Sequence, residues 1–212
     1  MNKLVRKILV PLTLMGALSA TPTPAQNVFL SASVGGFSGS DNNIQKVYGL
    51  MPVFKGGIGI ESDGWGTELD LIGATQKGTP INLYNTAGLS MSSQLTDLEF
   101  AARFSKALGR KGEDIRPYLG IQVSYDSLTE TLSATYNGQS ASVSGSASGF
   151  GFGVFSGVDF PLSKNLLLYL EGIYNYTQVS AQVTSSSGGT AIARKSVDSG
   201  GVSASIGVKY FF

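Results

Sequence analysis

Between Val202 and Phe212 the chain switches character at nearly every step. Val202, Ala204, Ile206, Val208, Tyr210 and Phe212 fall on one face, and Gly201, Ser203, Ser205, Gly207 and Lys209 on the other, with Phe211 the exception. A period of two marks a strand, whose successive side chains point to opposite faces. Comparable stretches cover residues 27–36, 51–61, 65–75, 95–107, 115–125, 149–159 and 166–176. Each is close to the roughly 9–11 residues with which a tilted strand crosses a bilayer. The connections at 62–64, 108–114 and 160–165 are short, and those at 37–50, 76–94, 126–148 and 177–199 are long. This regular alternation predicts an all-β chain, an eight-stranded antiparallel up-and-down transmembrane β-barrel with short periplasmic turns and long outer loops. With an even number of strands, both ends of the barrel chain fall on the periplasmic side.

Pattern alone does not say which face is inside. In a soluble barrel turned the other way, Phe54, Leu69, Phe100, Phe104, Ile121 and Phe152 would line a ligand cavity. Three features favour lipid outside: the aromatic final strand, the asymmetry of loop lengths, and a polar face rich in Gly and Ser where a solvated face carries more charge. The interior of an eight-stranded barrel is just wide enough to be filled by side chains. Lys55, Arg103, Arg116 and Lys209 are therefore expected to pair inside with carboxylates from Glu61, Glu68, Asp70, Asp97, Glu99, Asp159 and Glu171. The rival reading makes this cluster the gate of a narrow ion or water path.

Gly149, Gly151, Gly153 and Gly157 fall on the inward face, where they leave room for large neighbours such as Phe155, Tyr118 or Tyr169. A nucleotide-binding reading of this run fails on its spacing of two and on the lack of a following helix. Outward aromatics near the strand ends, Trp65, Tyr125, Tyr174, Tyr176, Tyr210 and Phe212, suit interfacial girdles. In the long 126–148 connection, Asn137-Gly138 sits within an alternating run, a strong signal for a two-residue hairpin turn. A second projecting hairpin is expected from 177–184 and 190–197, and exposed edges of such hairpins could accept a partner strand.

Composition narrows the class. Charged residues make up 14% of the chain, against about 25% in an ordinary soluble domain. Lys3, Arg6 and Lys7 precede an apolar run over 8–18, and Thr23-Pro24-Ala25 offers an export cleavage site. A signal peptide over residues 1–25 and a barrel domain over 26–212 are predicted, with 17–20 as the alternative cleavage region. The run is too short for the roughly 20 apolar residues of a membrane anchor and contains Pro11. Losing the three leader cations turns 15 basic against 14 acidic residues into 12 against 14. A chain so close to neutral suggests no nucleic-acid partner. There is no Cys, hence no disulfide and no thiolate metal site.

The segments Trp65-Gly-Thr-Glu-Leu-Asp70, Arg116-Pro-Tyr-Leu-Gly120, Gly149-Phe-Gly-Phe-Gly-Val154 with Asp159-Phe-Pro-Leu162, and Gly207-Val-Lys-Tyr-Phe-Phe212 carry a family likeness. Through them the chain resembles the OmpA-like/OmpX-like eight-stranded outer-membrane β-barrel family over nearly all of residues 26–212. The resemblance implies a bacterial outer-membrane location, outer-membrane lipid as the surrounding partner, and insertion by the barrel-assembly machinery reading Tyr210 and Phe212. The peptidoglycan-binding domain of larger members is not expected after Phe212. The resemblance also implies a structural envelope role with outer-loop recognition or adhesion toward an extracellular protein or matrix partner. A narrow porin-like channel for small solutes or ions is the alternative. No cofactor is implied. The barrels of this kind with acyl-transfer or hydrolytic activity rely on His, which the chain lacks. The carboxylate pairs Glu68 with Asp70 and Asp97 with Glu99 are expected inside a packed barrel, out of reach of substrate, so no enzyme is predicted.

Overall fold

The computed structural model describes residues 27–40, 42–78, 89–109, 114–185, 195–198 and 200–212. The predicted leader lies outside the described residues. The elements are β1 (Asn27–Gly39), α1 (Asn42–Tyr48), β2 (Met51–Ser62), β3 (Trp65–Gly78), β4 (Leu89–Ala107) and β5 (Arg116–Tyr136). They continue with β6 (Gln139–Pro161), β7 (Leu166–Ser185), β8 (Lys195–Asp198) and β9 (Gly201–Phe211).

From β1 to β7 each strand pairs antiparallel with the next, β7 pairs with β9, and β1 closes on β9 from Phe29 opposite Phe211 to Gly39 opposite Gly201. Eight strands thus form a ring without a free edge at membrane depth, the arrangement that satisfies every backbone group where water is absent. β8 extends the line of β9 outward and pairs only with β7, from Gln178 opposite Asp198 to Ala181 opposite Lys195. Of the second hairpin expected from 177–184 and 190–197, this short pairing is the part within the described residues.

Which face is inside follows from exposure. Phe54, Phe100, Val123 and Phe150 are more than half exposed, whereas Asp70, Arg103 and Gln122 are 4%, 5% and 1% exposed. A belt of bare aliphatic and aromatic side chains around a closed sheet is unstable in water and at home in hydrocarbon. Aromatic pairs mark its two rims. Trp65 stacks on Phe104 and Tyr210 meets Phe212 at the periplasmic end, while Tyr125 meets Phe150 at the other.

Two hairpins turn on residues with positive φ: Asp63 and Gly64 (51° and 77°), and Asn137 and Gly138 (48° and 78°). Both match the hairpin turn whose twist suits the flanking strands. The strands run further than the periodicity suggested. β5 and β6 have 21 and 23 residues and β4 and β7 have 19 and 20, so much of what was expected as outer loop at 76–94, 126–148 and 177–199 is sheet. Ser, Thr and Ala continue the pairing there without the apolar contrast that makes a membrane strand recognisable. The edges expected on the Asn137-Gly138 hairpin are largely covered, because β4 accompanies β5 as far as Leu89 opposite Tyr136 and β7 accompanies β6 as far as Ser185 opposite Val143. The 37–50 connection also departs from a plain loop, since it carries α1.

Candidate functional site

Among the described residues, ionisable groups converge in the barrel interior, and alternation along each strand puts them there. On β4, Arg103 sits opposite Glu68 of β3. Its guanidinium donates to Glu68 at 3.3 Å, to Asp70 at 3.2 Å, and across the lumen to Glu171 of β7 at 2.5 Å. Lys55 of β2 reaches Glu171 at 3.1 Å and Asp70 at 3.5 Å. Ser31 donates to Glu68, and the Tyr118 hydroxyl donates to Glu171 at 2.9 Å. The Arg103 guanidinium also lies 3.8 Å from the Phe155 ring centroid, so aromatic faces share the work of solvating the cation.

Nearer the periplasm, Arg116 of β5 grips Glu61 of β2 with both terminal nitrogens at 2.6 and 2.8 Å. It also meets Asp159 on its neighbouring strand at 2.9 Å, and Lys209 of β9 completes the set at 3.0 Å from Asp159. The Lys209 ammonium stands 4.4 and 5.0 Å from the ring centroids of Tyr118 and Tyr169. Small residues make the space: a Cβ on Gly120 would fall 2.3 Å from the Phe155 ring, and one on Gly157 would fall 2.5 Å from that of Tyr118. Below this layer a cavity of about 420 Å³ at the periplasmic end is lined by Asn27, Glu61, Arg116, Asp159, Lys164 and Phe212, among others.

Of the eleven interior charges expected to pair, nine fall into these two groups: Lys55, Glu68, Asp70, Arg103 and Glu171 above, and Glu61, Arg116, Asp159 and Lys209 below. Asp97 and Glu99 do not join them. They lie on the outer side of Arg103, where Asp126 stands directly opposite Glu99, and among the described residues none of the three carboxylates makes an ion pair. Glu99 accepts instead from the Gln122 amide at 3.0 Å, which also donates to Asn175 at 2.8 Å. A cavity of about 40 Å³ is lined by the three carboxylates with Asn175, Thr177 and Lys55. Asp126 lies one residue beyond the expected end of the fifth strand, which in fact continues to Tyr136, and it stays in phase with Gln122 and Ser124.

Toward the outer end of the barrel lies a group that periodicity does not reveal. Tyr48, the last residue of α1, hydrogen-bonds Ser93 and donates to Glu130 at 2.5 Å, and Ser93 donates to the same oxygen at 3.1 Å. Met51 and Leu95 are buried beside Tyr48, with Phe37, Val47 and Leu128 packed around them. Burial, reinforced by the Glu130 carboxylate, pushes the Tyr48 phenol up to about 12. The hydroxyl therefore stays a donor across the physiological range.

The closed ring and its apolar exterior decide what kind of protein this is, and similarity to known proteins agrees. Residues 110–212 match the model of the Opacity family porin protein. The fold matches a major outer membrane protein from Thermus thermophilus with a TM-score of 0.59 at 14% identity, covering 89% of this chain and 100% of that one. It matches neisserial surface protein A with a TM-score of 0.50 at 15% identity, covering 88% and 97%. Comparison with curated protein sequences gave no match. The chain is an eight-stranded β-barrel of the bacterial outer membrane. Among the described residues no helix is long and apolar enough to cross a membrane. The outer-membrane barrel thus joins a lipid-facing belt, an ion-paired interior and a tall outer sheet in one domain.

Proposed function

We propose that this barrel is a non-enzymatic envelope protein. Its membrane part is a filled anchor, and the tip of its β5–β6 hairpin recognises an extracellular protein or matrix component. The observation that carries this reading is the cross-lumen pairing of Arg103 with Glu171 and of Arg116 with Glu61. Ion pairs that span the lumen consume the charges a channel or a catalytic centre would need. The hairpin tip, by contrast, leaves side chains open to solvent, among them Tyr136 and Val143 at 49% and 37% exposure. Removing residues 132–143 and measuring attachment of displaying cells to host-cell or matrix surfaces tests the reading. Attachment is expected to fall while the barrel still shifts on a heat-modifiability gel; unchanged attachment counts against recognition by the tip.

A second reading, a narrow path for small solutes or ions, has in its favour the word porin in the matched family's description and the cavity at the periplasmic end. Large, steady single-channel currents from purified barrel in planar bilayers would favour it over the filled anchor. We propose in addition that residues 1–25 direct export and that the barrel-assembly machinery reads Tyr210 and Phe212. The edge-to-face contact of their outward rings at 5.3 Å supports the second point by presenting them as one unit. Replacing both with Ala is expected to lower the amount of folded barrel in the outer membrane, and an unchanged amount would exclude them as the signal.

A further inference from the structure

The outward face of the sheet changes character abruptly at one line. Up to Leu98 on β4, Tyr125 on β5, Phe150 on β6 and Tyr176 on β7 it carries the exposed apolar belt. Beyond that line the same face of the same strands is made of hydroxyls. Every outward position of β6 from 140 to 148 is an exposed serine, and every partner facing them on β5, at 127, 129, 131, 133 and 135, is Ser or Thr. β4 continues the surface with exposed Ser90, Ser92, Gln94 and Thr96, and β7 with exposed Gln178 and Ser180. The inward positions of β5 over this stretch are mixed, with Leu128, Glu130, Leu132 and Tyr136 among them.

A sheet side that simply faced bulk water would carry charges, which make up about 25–35% of a solvated surface. One that met phosphate headgroups along its height would carry Lys or Arg. These rows on β4–β7 carry neither charge nor apolar side chain. Neighbouring strands are about 4.8 Å apart and alternate residues about 6.8 Å apart, so the hydroxyls form a regular grid. Each is both donor and acceptor, a chemistry that matches the uncharged hydroxyls of sugar rings. Nine residues of strand reach about 30 Å along the strand. Even tilted, this is taller than a phospholipid headgroup and fits a lipid bearing several sugars. The grid begins where the hydrocarbon ends, at the contacting rings of Tyr125 and Phe150. Its neighbour is therefore whatever stands on the lipid already touching the barrel.

We propose that this hydroxyl face docks the oligosaccharide headgroups of glycolipid in the outer leaflet of the barrel's own membrane. The proposal is independent of recognition by the hairpin tip, which lies beyond it. The full barrel is placed in three bilayers: one containing lipopolysaccharide with its complete core oligosaccharide, one containing lipopolysaccharide cut back to lipid A, and one of phospholipid with free core oligosaccharide in solution. Amide hydrogen exchange is followed over residues 127–148. Exchange is expected to be roughly tenfold slower in the first than in the other two, since a few sugar hydrogen bonds suffice for that. A combined Ser142→Ala, Ser144→Ala and Ser146→Ala variant, shown folded by its gel shift, should lose the difference, and the corresponding Thr variant should keep it. Equal exchange with complete and truncated lipid, equal slowing by the free oligosaccharide, or an Ala variant that keeps its protection would each overturn the proposal.

Discussion

The inward face of the barrel holds two regions built by the same alternation and completed in opposite ways. Toward the periplasm, Lys55, Arg103, Arg116 and Lys209 are threaded among five carboxylates, and rings of Tyr118, Phe155 and Tyr169 fill the gaps. Toward the cell surface, Asp97, Glu99 and Asp126 face one another with amides and hydroxyls for company. A buried charge is costly unless it is paired and hydrogen-bonded. The first region is thus a set of mutual dependences, in which no member can leave cheaply. The second is a place where three carboxyl groups stand together with no ion-pair partner. The lesson is that alternation decides which side chains face inward, while closure of the ring decides whether they find partners.

The strongest way to break this contrast is Arg103→Ala. It leaves Glu68, Asp70 and Glu171 without the cation that all three contact, and removing one partner from a buried pair costs about 3–5 kcal/mol. Urea unfolding from lipid vesicles, followed by the single tryptophan, Trp65, reads the loss directly. A change below about 1 kcal/mol would mean that the network behaves like surface ion pairs. Glu171→Gln comes next. Glu171 joins Lys55 to Arg103 across the lumen and accepts the Tyr118 hydroxyl. An amide keeps its shape but not its charge, so a loss of about 2–3 kcal/mol is expected in the same assay.

These two residues also show how far the sequence could be read. Alternation over 95–107 and 166–176 is enough to turn Arg103 and Glu171 inward, and Arg103 meets Glu68 simply by strand register. That Arg103 also meets Glu171 depends on β4 and β7 facing each other across a closed ring, which no local pattern contains. Outer strand ends were illegible for a different reason. From 127 to 135 and from 140 to 148, Ser and Thr alternate with residues that are themselves often small, so the hydrophobic contrast that signals a strand disappears while pairing continues. Only Asn137-Gly138, whose backbone needs are local, stood out there. Tyr48 lacks any such cue, because its partners Ser93 and Glu130 are 45 and 82 residues away.

The mouth offers a milder test. Tyr48→Phe removes the hydroxyl that ties α1 to Ser93 and Glu130 but keeps the ring against Met51 and Leu95. A loss of about 1 kcal/mol is expected, concentrated in faster amide exchange over α1. The phenol is raised in the folded chain to about 12 from an ordinary 10. Its contribution is therefore complete below pH 10 and is lost as pH rises from there to about 12, because the unfolded chain releases the proton first. Tyr48→Phe should flatten that part of the stability profile and leave the neutral range unchanged in shape. A profile identical to that of the parent chain would show that the hydroxyl does not hold the mouth.

The smallest effect carries the opposite sign and sharpens the contrast most. Asp126 stands directly opposite Glu99 across the β4–β5 ladder, and like charges so placed destabilise a sheet by roughly 0.2–1 kcal/mol. Asp126→Asn keeps size while removing one of the two acidic groups that burden each other, so it should stabilise the barrel by up to about that amount. Asp70→Asn, the same chemical change in the region where Lys55 and Arg103 both lean on the carboxylate, should destabilise it. The two variants measured side by side in one lipid give a difference whose sign does not depend on the unfolding reference. If both lower stability equally, the outer carboxylates are as well supported as the inner ones, and the division of the lumen into two regions fails.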